Sequence, residues 1–262
     1  KRRDMGLGGF PDVTLAMARE KAREQRLVID QGGDPILARK EAHILASEGD
    51  TGTGFLTLNL GLQLASGRYL SGRRAPFGRT ILPSMAPVSC VMLYAEDAEA
   101  ALHRRLEALD PDGELRDLAG DRLMPVAMPS AGGAMSIIER TPSGTFRATE
   151  RWLELVEQLS HIGDLGLLLI DPFSCFTALD LDKESSVAAA LSGELARVAT
   201  VLGCAVLGSH HMRKAEAETK QGKAPELPNH GVVRAQIRGV AALLNGVRMA
   251  YGIVPLPGRY AR

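Results

Sequence analysis

Three features are scarce or absent in this sequence, and each absence argues against a class of protein. The 262 residues include only three cysteines, Cys90, Cys175 and Cys204, which lie far apart in or beside apolar runs. This pattern favours buried free thiols over a disulfide framework. The formal net charge is zero, so the chain as a whole has no electrostatic signature of nucleic-acid binding. No apolar run approaches the length of a membrane-spanning helix, and we expect a cytoplasmic protein without a membrane partner.

The sequence does contain a glycine-rich turn between two apolar segments. Residues 43–46 are typical of a strand, and the residues after Gly54 have the apolar pattern of a helix packed on a sheet. Glycines allow successive backbone N–H groups to converge on an anion, and a helix N-terminus adds partial positive charge. The pattern predicts a phosphate site, and a plain strand-to-helix turn without a ligand is the alternative. The candidate binding residues are Gly49, Asp50, Thr51, Gly52, Thr53 and Gly54.

The turn matches the P-loop motif G-x-x-x-x-G-K-[ST] only over its first six positions. Phe55 and Leu56 stand where the motif has a lysine for the β/γ-phosphates and a hydroxyl for Mg²⁺. The pattern resembles a P-loop helix that has lost two residues, so we expect a shorter turn and an unchanged apolar face. Thr57 has the nearest hydroxyl, but it comes at least one residue too late for the magnesium position. A natural loss, an engineered change or a defect in the sequence record would each explain the two missing residues.

Three later apolar runs, residues 88–94, 165–170 and 204–208, end in polar side chains. These are Glu96 and Asp97, then Asp171, then Ser209, His210 and His211. Open α/β sheets bind ligands at the carboxyl ends of their strands, so Glu96, Asp97, Asp171, His210 and His211 are candidate site residues. Glu96 and Asp97 have a second explanation, because negative charge also stabilises the start of a helix. Adjacent histidines project to opposite sides of a strand, which favours one contact to phosphate or water over a shared metal.

Strands and helices alternate from residue 42 onward, which predicts an α/β fold with a mostly parallel sheet covered by helices on both faces. Residues 130–143 are typical of a loop, and residues 146–161 of an amphipathic helix. Five segments in order resemble the RecA-like ATPases of the plasmid RepA type, which are hexameric replicative helicases, and their prophage relatives. They are the glycine turn with FLTLNLGLQLASG, VMLYAEDAEAALHRRL, LLLIDPFSCF, AVLGSHHMRK and IRGVAALLNGVRMAYGI.

The resemblance implies a RecA-like P-loop NTPase domain over residues 42–262 that binds ATP and Mg²⁺. Asp171 would be the Walker B carboxylate, which holds Mg²⁺ through water, and Glu96 the base that orients the attacking water. His210 or His211 would sense the γ-phosphate. Arg238 would act across a subunit interface, with Arg213 and Lys214 as rivals for that role. Val240 and Ala241 depart from the Ser-Ser or Ala-Ser pair that commonly follows Arg-Gly in this family.

Residues 1–41 differ in character from the rest, with nine Lys/Arg against six Asp/Glu over residues 1–40. Thr14 can cap a helix over residues 15–30, which Gly32 and Gly33 would end. The stretch LGGFPDVTLAMAREKAREQR followed by GGDPILARK resembles the later half of the arm-binding N-terminal domain of tyrosine-type phage integrases. The resemblance implies a short helical appendage fused to the ATPase domain. A solvated charged helix is the alternative.

Three hypotheses for function follow. The first is a RepA-type ATPase, a DNA helicase by resemblance, that acts in replication of a mobile element, forms a homo-oligomer and contacts single-stranded DNA. The second is a DNA-binding or assembly module that does not hydrolyse ATP. The third is a degenerate fusion without activity. The missing lysine and hydroxyl keep all three open.

Overall fold

The computed structural model describes residues 40–49, 51–68, 86–181, 183–212, 237 and 241–253, together with the isolated helical residues Glu20 and Arg23. Most of the appendage predicted over residues 1–41 lies outside this part of the chain, as do Asp50, Arg213, Lys214 and Arg238. None of the helices in the described part is long and apolar enough to cross a membrane.

Eight strands and six α-helices form in the described part of the chain. The strands are β1 (Ala42–Ser47), β2 (Ser89–Tyr94), β3 (Leu123–Ala127), β4 (Ile138–Arg140), β5 (Phe146–Ala148), β6 (Leu165–Asp171), β7 (Ala205–His211) and β8 (Met249–Ile253). The helices are α1 (Thr53–Ser66), α2 (Glu99–Leu109), α3 (Glu114–Ala119), α4 (Glu150–Ser160), α5 (Ser185–Leu202) and α6 (Ala241–Asn245). Short 3₁₀ turns cover Gly120–Arg122 and Phe173–Phe176.

Six of the strands form one sheet in the order β3-β2-β6-β7-β1-β8, and every neighbouring pair is parallel. The chain leaves β1 for β2 and later returns to insert β6 and β7 between them. This reversal of strand order creates a crevice at the carboxyl ends of the strands. The predicted α/β fold with a mostly parallel sheet is confirmed. The fold is that of a RecA-like P-loop NTPase.

The central strand β6 is covered on both faces. Leu168 and Ile170 belong to one core, which includes Trp152 of α4 and Leu195 of α5. The alternate residues of β6, Leu167 and Leu169, belong to a second core with α1 and α2. A run of consecutive aliphatic residues is what a doubly covered parallel strand requires, because both of its faces lie in apolar surroundings.

Helix α1 begins at Thr53, so the last glycine of the turn, Gly54, lies in its first helical turn. The residue before the helix, Gly52, has a left-handed conformation with φ of 80°, which glycine adopts without steric cost. The turn is therefore shorter than the six-residue pattern, as the sequence predicts. The apolar face is also kept, since Leu58 and Leu62 are fully buried.

Strands β4 and β5 form an antiparallel hairpin outside the main sheet. This corrects two predictions. The loop predicted over residues 130–143 contains β4, and the helix predicted from residue 146 begins at Glu150, after β5. Thr149 caps the helix by accepting a hydrogen bond from the Trp152 amide. Thr149 thus separates the strand from the helix, although residues 146–161 have the pattern of one amphipathic helix.

Candidate nucleotide-binding site

A cavity of about 360 Å³ opens at the edge of the sheet where β1, β2, β6 and β7 end. Ten of the predicted site residues line it together. They are Gly49, Thr51, Gly52, Thr53, Gly54, Glu96, Asp97, Asp171, His210 and His211. Thr57 is not among the residues that line it. Two further predicted residues, Asp50 and Arg238, lie outside the described part of the chain.

The start of α1 faces this cavity without a capping side chain. Within this described helix, no side chain makes a cap hydrogen bond and no acidic residue occurs in the first turn. The first amide bonded within the helix is that of Leu56, which donates to Gly52 O at 3.0 Å. The amides of Thr53, Gly54 and Phe55 precede it and have no acceptor within the helix. The helix start is thus suited to bind an anion.

Hydroxyl groups hold the turn together. Thr51 Oγ1 donates to Glu48 O at 2.8 Å, and the Thr53 hydroxyl contacts both Ser47 Oγ and Thr51 Oγ1. Thr53 lines the cavity and places a hydroxyl at the first position of the helix. Thr57 is buried instead, and its hydroxyl donates to Gly54 O at 3.1 Å. Thr53 therefore presents a hydroxyl to the cavity from the first position of the helix, and Thr57 does not line the cavity.

Asp171 ends β6 and directs its carboxylate toward the turn. Oδ1 accepts a hydrogen bond from Ser209 Oγ on the neighbouring strand β7. Oδ2 lies 3.6 Å from the position that a Cβ on Gly54 would occupy. Burial raises the pKa of Asp171, the bond from Ser209 lowers it, and the nearby Asp97 and Glu96 carboxylates raise it. Ser209 thus orients Asp171, a role that the sequence analysis does not assign to it.

Asp97 forms a two-pronged ion pair with Arg105 of α2. Arg105 Nη2 donates to Asp97 Oδ1 at 2.8 Å, and Nη1 donates to Oδ2. Arg105 also lines the cavity, although the sequence analysis places no function on it. Its position carried a signal, because it adjoins Leu106 at the margin of the buried stripe of α2. Polar residues at that margin can reach a neighbouring element.

Glu96 lies among ionisable neighbours at the mouth of the cavity. Cys175 Sγ donates to Glu96 Oε1 at 3.5 Å, and His211 Nε2 lies 4.0 Å from the same oxygen. The side chain of Glu96 is 60% exposed, so water can reach its carboxylate. His210 is buried and packs its ring against Phe173, with 4.6 Å between ring centroids. The two histidines therefore point different ways, as expected for consecutive residues of a strand.

The oxygen atoms of Asp171 and Thr53 are the kind of ligand that Mg²⁺ takes in nucleotide-binding sites. Among the described residues, no group of three or more His, Cys, Asp or Glu side chains could hold a metal ion by itself. Mg²⁺ at such sites is usually held by one or two carboxylates together with phosphate oxygens and water. Asp171, facing the uncapped helix start, is a carboxylate of the kind that such a site requires. The Thr53 hydroxyl is a second oxygen donor.

The parallel sheet, the glycine turn and the carboxylates at the strand ends define a nucleotide-binding α/β protein of the P-loop class. The model of the AAA domain family matches residues 9–217, and the chain belongs to this family. Membership indicates an ATPase-type nucleotide-binding function. A search among curated proteins finds none that matches the chain.

Cys175 offers a chemical probe of this site, because Cys175 is exposed while Cys90 and Cys204 are buried. Burial, together with the charge of Glu96 and the hydrogen bond to it, raises the pKa of Cys175 to about 11. We expect iodoacetamide to alkylate Cys175 slowly near neutral pH, since little thiolate is present. Glu96→Gln should speed the reaction severalfold, and intact-protein mass spectrometry would follow it.

The matched control for this probe is Glu99→Gln, which changes an exposed carboxylate in the first turn of α2. It should leave the alkylation rate unchanged. Alkylation of Cys90 or Cys204 ahead of Cys175 would contradict the described arrangement.

Proposed function

We propose that the chain binds ATP with Mg²⁺ in this cavity as an ATPase of the RepA-helicase type, linked to DNA replication of a mobile element. The observation that carries the proposal is the uncapped start of α1, which faces Asp171 and Glu96 across one cavity. Hydrolysis is limited in the chain as it stands, because the P-loop lysine and the hydroxyl after it are missing.

In this proposal the backbone around Gly52–Gly54 holds the phosphates. Its first amides have no acceptor within the helix, and the helix start favours negative charge. Mg²⁺ bound beside the phosphates would neutralise charge that develops on their oxygens. Asp171, oriented by Ser209, would hold Mg²⁺ through water. The hydroxyl of Thr53 takes the part that the motif assigns to its Ser/Thr.

Glu96 is proposed to orient the attacking water and accept its proton. Its exposure and its position at the end of β2 suit a residue that meets water rather than phosphate. His211 lies beside Glu96, so a shift of Glu96 on nucleotide binding would alter the contact of His211. His210 or His211 would sense whether the γ-phosphate is present and transmit that change along β7.

Assembly belongs to the proposal as well. AAA domains commonly oligomerise, and the RepA resemblance implies a hexamer. Arg238, which the sequence places next to Gly239, would complete a neighbouring subunit's site, with Arg213 and Lys214 as alternatives. Residues 1–41 would be an integrase-derived appendage. The matched family segment begins at residue 9 and so includes most of residues 1–41. Deletion of residues 1–41 would test whether the ATPase domain needs them.

Asp171→Asn tests the magnesium site. The amide keeps the size of the side chain but loses the charge that holds the magnesium-bound water. We expect ATP binding in the presence of Mg²⁺ to fall to the level measured with EDTA, while the circular dichroism spectrum stays unchanged. Isothermal titration calorimetry with and without Mg²⁺ would measure this. A variant whose ATP affinity still depends on Mg²⁺ would remove Asp171 from the metal site.

ATP hydrolysis with and without single-stranded DNA tests the function as a whole. We expect weak ATP binding, with a dissociation constant in the high-micromolar to millimolar range, equivalent to about 4–6 kcal/mol. Turnover should be near background. DNA binding or oligomer formation without any ATP binding would instead support a non-hydrolysing DNA-binding or assembly module. The missing lysine favours that second candidate.

A further inference from the structure

Arg105 occupies the space over the last glycine of the turn. A Cβ built on Gly54 would lie 2.8 Å from Arg105 Nη1. Gly54 directly precedes the point where the P-loop motif has its lysine. A residue without a side chain at this position leaves room for the guanidinium. The motif normally has a positive charge on the turn. Here Arg105 of α2 brings a positive charge beside Gly54.

The charges around the cavity show why such a cation matters. The described residues that line it include four carboxylates, on Glu48, Glu96, Asp97 and Asp171, and Arg105 is the only lysine or arginine among them. A triphosphate entering this cavity would meet net negative charge. Among the described lining residues, Arg105 is thus the permanent side-chain cation that would attract it, beside the backbone amides at the start of α1.

The ion pair with Asp97 places the guanidinium without using all of its hydrogen-bond donors. Asp97 accepts one bond from Nη1 and one from Nη2. A guanidinium has further N–H donors, arranged in a rigid fork that matches phosphate oxygens. Helix α2 is itself anchored by its buried residues Leu102 and Leu106, on either side of Arg105 in sequence. The group is therefore held by a rigid element rather than by a loop.

A guanidinium beside a helix N-terminus is an unfavourable arrangement by itself, because both carry positive charge. Here Asp97 offsets the repulsion. An anion between the guanidinium and the first amides of α1 would be attracted by both. The geometry thus favours a phosphate group at the point where Gly54, Arg105 and Asp171 approach one another.

We propose that Arg105 is the phosphate-binding cation of this site and takes over the role of the absent P-loop lysine. The inference rests on the proposed function, since it names a residue that binds the phosphate tail of the same nucleotide. Arg105 contacts the β- or γ-phosphate and makes the site select ATP and ADP over AMP. Asp97 positions it. The chain can then retain nucleotide binding although its turn carries no lysine.

The test compares the affinities of ATP, ADP and AMP for the unmodified chain, Arg105→Met, Arg105→Lys and Arg104→Met by isothermal titration calorimetry. A charge-assisted hydrogen bond corresponds to about a tenfold to hundredfold change in affinity. We expect Arg105→Met to weaken ATP binding by about that factor and AMP binding little. The ATP affinity of Arg105→Lys should lie between that of Arg105→Met and that of the unmodified chain. Arg104 is an exposed neighbour on the same helix, and its substitution should change nothing.

The outcomes separate this proposal from the proposed function. If the unmodified chain prefers ATP over AMP and Arg105→Met keeps that preference, Arg105 is not the cation, while the proposed function stands. If the unmodified chain binds no nucleotide, both proposals fail. Circular dichroism checks folding first. If Arg105→Met does not fold, Arg105→Gln replaces it, because glutamine is also neutral and can still donate a hydrogen bond to Asp97.

A second chain, with Lys-Ser inserted between Gly54 and Phe55, gives an independent readout. The inserted lysine would supply the cation from the turn. Arg105→Met should then cost much less ATP affinity than it does in the unmodified chain. An equal loss in both chains would show that Arg105 supports the fold of the site rather than the phosphate.

Discussion

Inserting Lys-Ser between Gly54 and Phe55 is expected to raise the rate of ATP hydrolysis by orders of magnitude. A cation on the transferring phosphate can contribute about 10³–10⁵ in rate in related systems, or roughly 4–7 kcal/mol. The serine would add the hydroxyl of the motif. The carboxylates Asp171 and Glu96 already line the cavity, so the insertion would add only the lysine and the hydroxyl that the motif lacks here.

The insertion must also fit the structure. Two residues added within the helix would rotate all later side chains by about 200° and expose Leu58 and Leu62, which are fully buried. The change should therefore be taken up in the turn. Steady-state phosphate release would measure the gain, with an inserted Met-Ser pair as the control for length. Equal rates for the two insertions, or brisk hydrolysis by the unmodified chain, would contradict the account.

The main sheet and much of the site follow from local sequence patterns. Apolar runs that end at Tyr94, at Asp171 and near His211 predict parallel strands, and parallel strands bring their carboxyl ends to one edge. Glu96, Asp171 and His211 therefore line one cavity although the sequence separates them widely. The apolar pattern of each strand and the parallel arrangement of the strands are sufficient to predict this.

Contacts between elements could not be predicted in the same way. Arg105 and Ser209 each meet an aspartate from another part of the chain. The helical pattern places Arg105 at the margin of the buried stripe of α2, but no local pattern identifies its partner. The hairpin of β4 and β5 is also invisible to periodicity, because each strand has only three residues. The start of α1 at Thr53 depends on a left-handed glycine, which several glycines of the turn could have supplied.

The site combines two kinds of residue with different tolerance to change. Asp171 accepts a hydrogen bond from Ser209, and both Asp171 and Arg105 lie close to Gly54. A substitution of Asp171 therefore disturbs several neighbours. Glu96 is largely exposed and has Cys175 and His211 as its nearest polar contacts. A substitution of Glu96 should therefore remove its chemical function and leave the binding of phosphate in place.

Glu96→Gln, made in the chain with the Lys-Ser insertion, is expected to lower the rate of ATP hydrolysis by about 10²–10⁴-fold. The amide cannot accept the proton of the attacking water, although it keeps the size of the carboxylate. ATP affinity should change little, because the Glu96 side chain is 60% exposed and its polar contacts are with His211 and Cys175. Glu99→Gln removes an exposed charge three residues later and serves as the control. Loss of ATP binding in Glu96→Gln would make Glu96 a binding residue, and unchanged hydrolysis would assign the base to another group.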